Sequence, residues 1–198
     1  MRSLERRKHL RGLARVLPSV FLLVACVCVA AAQQFEGLDL DGKLVDPIKA
    51  AAGKPVVLVF VRTDCPISNR YAPELRRLQA KYAGSASFWM VYPDKDETAA
   101  QVRRHMQEYG YRVPALRDPA HQLVKAVKAQ ATPEAVVFGP QGRVAYRGRI
   151  DDWYVSPGRA RPAPTSHELQ EALQAVTSGK SPRVASTVAI GCSIADLE

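Results

Sequence analysis

Cysteine is scarce, at four in 198 residues, too few for a small domain stapled by disulfides. Glycine-rich phosphate loops are missing, and so is any Gly-x-Ser-x-Gly elbow, which removes P-loop nucleotide hydrolysis and the serine-hydrolase nucleophile. His105, His121 and His167 stand apart with no His-x-x-His or Cys/His cluster, so no structural zinc site is expected. A copper site using Cys65 would need a second soft ligand nearby, and Ser68 does not supply one. Beyond residue 32 there is no apolar run long enough for a membrane span and no Lys/Arg run of five, which argues against a polytopic membrane protein and against nucleic-acid binding. Internal repeats are also absent. What is present is a chain 47% hydrophobic and 24% charged, enough for one domain with a real core and unlike a disordered composition.

The formal charge of +9 is unevenly placed. Arg2, Arg6, Arg7, Lys8, Arg11 and Arg15 face a single acid, Glu5, within residues 1–32, leaving 22 basic against 18 acidic residues in the rest. This basic block precedes an apolar run from Val16 to Ala32 that ends in three alanines. That order reads as a secretory signal over 1–32, followed by the folded domain at 33–179 and a tail at 180–198. The location expected is therefore extracytoplasmic, in a bacterial periplasm or secreted. Contact with membrane is expected only through an uncleaved signal or a lipid on Cys26, since Leu23-Val24-Ala25-Cys26 is similar to a lipobox. Arg6-Arg7-Lys8-His9-Leu10 is a partial twin-arginine pattern. Cleavage after Ala32 leaves two thiols, Cys65 and Cys192, in a compartment where disulfides persist.

Hydrophobic patterning predicts alternating strands and helices. Leu38–Val45 reads as a hairpin around Asp41-Gly42, and Pro55–Val61 as a strand covered on both faces. Ile67, Tyr71, Leu75, Leu78 and Tyr82 mark one helix face, with Pro73 expected to kink it. A strand at Ala86–Tyr92, a helix from Thr98 to Gly110 with a capping box to Gln101, and a shorter helix over Pro119–Ala129 follow. Glu134–Phe138 and Arg143–Arg149 form a hairpin, and Ser166 is expected to cap a last helix ending at Gly179. Trp89 is read as core, Trp153 as a groove rim, and Asp151-Asp152 as a solvated loop.

Within Arg62-Thr63-Asp64-Cys65-Pro66, the cysteine falls at a helix N-cap with proline in the first helical position. A helix N-terminus favours thiolate over thiol; Arg62 adds to this and Asp64 opposes it. Ala131-Thr132-Pro133-Glu134 stands directly before the penultimate strand.

Cys65-Pro66 with Pro73 eight residues on, Thr132-Pro133, Tyr146–Asp152 and Ile190-Gly191-Cys192-Ser193-Ile194 together resemble the thioredoxin superfamily, and within it the peroxiredoxin-like redoxin group (alkyl hydroperoxide reductase/thiol-specific antioxidant). The resemblance implies an α/β thioredoxin-like three-layer sandwich with a central mixed sheet, and a cis Pro133 facing the thiol. It implies a thiol oxidoreductase in which Cys65 attacks a peroxide or a protein disulfide and an external thiol restores it. Arg62, Thr63, Pro66, Thr132 and Pro133 would support the site. No organic cofactor and no metal is implied. Ser68 replaces the second thiol of a Cys-x-x-Cys, and Thr63 stands one position later than a peroxiredoxin threonine would. Cys192 is left open as a resolving thiol, a permanent staple to Cys65 or a small buried residue. The non-enzymatic alternative is a thioredoxin-like binding module for metal delivery or protein docking.

Overall fold

The computed structural model describes residues 35–195. The expected leader, with its lipobox-like and twin-arginine-like stretches, lies outside them. β1 (Gly37–Leu38) and β2 (Leu44–Val45) form the expected small hairpin, its turn tied by Asp39 and Gly42. A short helix not read from the sequence, α1 (Pro47–Ala50), starts where the Asp46 carboxylate accepts from the amides of Ile48 and Lys49. β3 (Val56–Phe60) is buried along its whole length, as a β-branched run between two layers must be.

The helix expected to kink at Pro73 is two helices, α2 (Pro66–Arg70) and α3 (Ala72–Tyr82), meeting at Tyr71. Proline has no amide hydrogen to donate, so it sits best in a first turn, and the chain restarts the helix to put Pro73 there. β4 (Ser87–Tyr92) and α4 (Ala99–Glu108) follow, the latter with the reciprocal Thr98–Gln101 capping box. β5 (Ala115–Arg117) is a third parallel strand, too short to carry a pattern. α5 (Gln122–Val127) is shorter than the expected Pro119–Ala129 helix: the Asp118 carboxylate accepts from Gln122 and Val124, and His121 and Lys128 adopt left-handed backbone at its two ends.

β6 (Ala131–Thr132) leads into β7 (Glu134–Phe138) and β8 (Val144–Gly148), the predicted hairpin. The loop beyond it holds a second hairpin, β9 (Tyr154–Ser156) and β10 (Arg159–Ala160). α6 (Glu168–Thr177) begins after His167, not at a capping Ser166; the Ser166 hydroxyl instead donates to Glu168, which also binds the Arg149 guanidinium. β11 (Cys192–Ser193) closes the described chain by pairing antiparallel with β6.

The main sheet runs β2-β1-β5-β4-β3-β7-β8, parallel through β5, β4 and β3 and antiparallel elsewhere. Alternation along β3 divides the core. Val57 and Val59 join Leu75, Leu78, Val102, Leu169 and Leu173 on one face, while Val56, Leu58 and Phe60 join Leu123, Val124 and Val127 on the other. Helix, mixed sheet and helix make the expected three layers. The fold is thioredoxin-like.

Candidate active site

The parallel strand β3 ends in the middle of the sheet, and the chain turns through Val61–Asp64 before α2. Cys65 occupies the N-cap of α2 with Pro66 in the first turn. Facing it is the Thr132-Pro133 peptide, which is cis. The Cys65 sulfur lies 3.0 Å from the Thr132 carbonyl oxygen and is bonded to the sulfur of Cys192, with the two Cα atoms 6.2 Å apart. Among the three readings of Cys192, the structure therefore has it paired with Cys65.

In this oxidised state Cys65 is 1% exposed and makes no side-chain bond to the helix it caps. Here the sulfur is bonded to Cys192 and turned toward β6, so the expected thiolate belongs to the reduced state. The Arg62 guanidinium bonds Asp64 at 3.0 Å and Asp94 at 3.1 Å, so its charge is balanced by carboxylates. Ser68, three residues after Cys65 and buried, has a hydroxyl with no partner among the described residues.

Residues that sequence reasoning passed over hold the loop before Cys65. The Thr63 amide donates to Glu97 Oε1 at 2.6 Å. Burial raises the Glu97 carboxyl above its ordinary range, and the bonds from Thr63 pull it partly back. On the other side, the Asn69 amide nitrogen donates to the Thr63 carbonyl at 3.0 Å. Asn69 Oδ1 must then accept, so His105 Nε2–H donates to it at 2.8 Å and His105 Nδ1 accepts from the Tyr92 hydroxyl, also at 2.8 Å. Burial holds His105 neutral, pushing it down to about 4. His105, dismissed for lack of a metal-binding neighbour, is thus a brace for the active-site loop.

The facing wall is braced by Glu134. Its Oε2 accepts from the amides of Gln130 (2.7 Å) and Ala131 (3.3 Å), fixing the turn into the cis peptide. Burial raises Glu134, while those bonds and the charge of Arg147 oppose the rise.

The segment after α6 is not a loose tail but a strap laid along β8. Arg147 N–H donates to the Ala185 carbonyl and Thr187 N–H to the Arg147 carbonyl, both at 3.0 Å. The Thr187 hydroxyl meets Tyr146 Oη at 2.9 Å and accepts from the Arg149 amide. The strap then crosses to the cis-proline wall, where Cys192 pairs with Thr132 and Ser193 with Ala131, and Ile194 N–H donates to the Gln130 carbonyl at 3.0 Å. The Ile190-Gly191-Cys192-Ser193-Ile194 motif marked this segment in the sequence, but not its register.

Asp151 and Asp152 are corrected from a solvated pair to buried carboxylates. Asp151 accepts from Tyr71 Oη at 2.6 Å and from the Trp153 amide, while Asp152 accepts from Thr165 and Ser166. Trp153 packs edge-on against Tyr71, and Trp89 is only half-buried. Among the described residues, no three of His, Cys, Asp and Glu gather as metal ligands.

A disulfide-forming cysteine pair set between a strand end and a cis-proline wall defines a thioredoxin-fold protein of the redoxin class. The chain belongs to the AhpC/TSA family, whose pattern matches residues 29–147 and so spans Cys65 and Pro133 but ends before the strap. The thiol-disulfide oxidoreductase ResA of Bacillus thuringiensis (strain Al Hakam) is 26% identical over 113 residues, 57% of this chain and 64% of that protein. The chain therefore matches less than two thirds of that relative's length. Two crystal structures of uncharacterised proteins, from Sinorhizobium meliloti 1021 and Geobacillus kaustophilus, each superpose with a TM-score of 0.70 at 25% and 26% identity. Each covers 81% of this chain, and the chain covers 89% and 87% of them. A secreted Mycobacterium tuberculosis disulfide oxidoreductase homologous to E. coli DsbE shares the fold at 20% identity and a TM-score of 0.52, over 74% of this chain and 96% of its own. A redoxin fold carrying such a pair supports thiol-dependent oxidoreductase activity.

Proposed function

We propose that the protein is an exported thiol–disulfide oxidoreductase in which Cys65 is the attacking sulfur and Cys192 the resolving one. The observation that carries this reading is the Cys65–Cys192 disulfide beside the cis-proline wall. With the pair reduced, the Cys65 thiolate attacks one sulfur of a protein disulfide, forming a mixed disulfide and expelling the other sulfur as a thiolate. Cys192 then attacks Cys65, releasing the second substrate thiolate and closing the internal disulfide. The substrate has gained two electrons, and an external dithiol or two thiols return them to the pair. Pro66 opens α2 without an amide to satisfy, while Thr63, Thr132 and Pro133 fix the walls. Arg62 shapes the loop through Asp64 and Asp94.

Membership of the AhpC/TSA family favours a second reading, peroxide reduction. There Cys65 takes one peroxide oxygen to become a sulfenic acid, the other leaves as alcohol or water, and Cys192 condenses with the sulfenic acid to release water. The surroundings favour exchange: an acceptor carbonyl, that of Thr132, lies 3.0 Å from the Cys65 sulfur, and Arg62 is already bound to two carboxylates. Export is supported by the charged and apolar pattern of residues 1–32, and by the need of a lasting disulfide for an oxidising compartment. The secreted fold relative points the same way.

Consumption of a peptide disulfide and of hydrogen peroxide by wild type, Cys65→Ser and Cys192→Ser decides between the two. Exchange predicts loss of disulfide turnover in Cys65→Ser, with a trapped mixed disulfide in Cys192→Ser. Peroxide turnover without disulfide turnover selects the second reading. Full activity in Cys65→Ser ends both, and turnover of neither substrate by wild type leaves the binding-module alternative.

A further inference from the structure

The strap meets the active site as a foreign peptide would. It enters in extended form, adds an antiparallel strand to Ala131–Thr132 and presents one cysteine to Cys65. Pairing of this kind uses backbone groups for affinity and side-chain pockets for selection. Two strap positions show selection. At Gly191 an added Cβ would overlap the Thr132 carbonyl oxygen and lie 2.6 Å from the carbonyl carbon and 3.1 Å from Pro133 N. All three are backbone atoms that cannot step aside, so only glycine fits directly before the cysteine. Two positions after the cysteine, Ile194 is 6% exposed and joins the apolar cluster of Phe60, Leu116 and Val124.

We propose that the strap is an internal copy of the substrate. The groove, once vacated, takes disulfide-bearing polypeptides whose reacting cysteine lies in an extended segment, with glycine immediately before it and an aliphatic residue two positions after it. This proposal rests on the thiol–disulfide reading above. The bonding is the same in both occupants: Cys65 attacks the cysteine sulfur that stands where Cys192 stands, the bond to that sulfur's former partner breaks, and the partner leaves as a thiolate.

The test uses the full chain carrying Cys192→Ser, with Cys26 and Cys28 also replaced by serine in every variant, so that Cys65 is its one thiol and has no internal partner. The probes are blocked pentapeptides Ile-Gly-Cys-Ser-Ile with the cysteine bonded to thionitrobenzoate, whose release is read by absorbance. Counterparts carry alanine in place of glycine, or serine in place of the last isoleucine. We expect the glycine peptide to react at least about tenfold faster than the alanine peptide, the scale at which one misplaced methyl is discriminated, and replacement of the isoleucine to slow it as well. A second variant, Gly191→Val with Cys192→Ser, unseats the strap and should react faster with the glycine peptide than Cys192→Ser alone. Equal rates for the glycine and alanine peptides, or no peptide reaction in either variant, overturn the proposal. The small disulfide 5,5′-dithiobis(2-nitrobenzoate) separates the two levels. If it modifies Cys65 while the peptides fail to discriminate, only the substrate-copy inference falls; if it leaves Cys65 untouched, the thiol–disulfide reading falls with it.

Discussion

Thr132 and Cys192 stand opposite each other in a two-residue antiparallel ladder, and the Thr132 carbonyl also lies 3.0 Å from the sulfur of Cys65. One backbone unit thus touches both halves of the disulfide. The strap places its cysteine by strand register, and the cis-proline wall is where that register is set.

The disulfide closes a loop of 127 residues. In the chain-entropy account a loop of that size stabilises the fold by up to about 5 kcal/mol. Reduction with dithiothreitol, Cys65→Ser and Cys192→Ser should each lower the melting temperature by a similar amount, roughly 10 °C for a domain of this size. Calorimetry of oxidised and reduced protein measures it, and coincident transitions would show that the pair carries no such stabilisation.

Gly148 has φ of +149°, and a Cβ there would overlap Thr187, whose backbone nitrogen would be only 2.9 Å away. Gly148→Ala should push the strap off β8 and cost more than about 1 kcal/mol. Limited proteolysis followed by mass spectrometry should find faster cleavage within residues 180–190 than in wild type. An unchanged cleavage pattern would mean that the strap is held without this contact.

His105 titrates near 4 in the fold against an ordinary value of 6.5, through burial. Between those values the unfolded chain binds the extra proton, so stability rises with pH. The contribution is whole above about pH 6.5 and is lost as pH falls toward 4, amounting to about 3 kcal/mol. Glu97, Asp118, Glu134 and Asp151 are all raised by burial and act in the opposite sense. The comparison that isolates His105 is therefore wild type against His105→Gln, by urea unfolding from pH 7 to pH 4. The variant should lose less stability on acidification; parallel curves would contradict the assignment.

Tyr71 donates to the buried Asp151 carboxylate at 2.6 Å. Burial raises Tyr71 well above its usual range and the Asp151 contact raises it further, so it stays protonated as a donor. Tyr71→Phe leaves the Asp151 carboxylate with the bond from the Trp153 amide, a loss expected to cost about 1–3 kcal/mol. Denaturant midpoints should show Asp151→Asn, which keeps an acceptor for Tyr71, to be the milder change.

Legibility followed length and pattern. β3 and β4, α4 with its Thr98–Gln101 box, and the β7–β8 hairpin carry their signals within a few neighbouring residues. β5, β6 and β11 run two or three residues, too few for a period, and exist because neighbours supply their hydrogen bonds. Ser166 failed as a cap because its hydroxyl found Glu168. Asp151 and Asp152 looked solvated because nothing in their local sequence announces Tyr71 or Thr165 as partners.

The sequence by itself determined the layered α/β order, a cysteine at a strand-to-helix turn and a proline ahead of the facing strand, since each is a matter of local backbone preference. Only the tertiary structure decided what that sulfur meets. Arg62 was drawn to two carboxylates, His105 was joined to the active-site loop through Asn69, and Cys192 was brought across 127 residues by a strap whose register is set by Gly148 and Gly191. The reason is physical: those choices depend on which distant backbone groups and charges are left unpaired once the layers close, and such pairings have no signature in neighbouring residues.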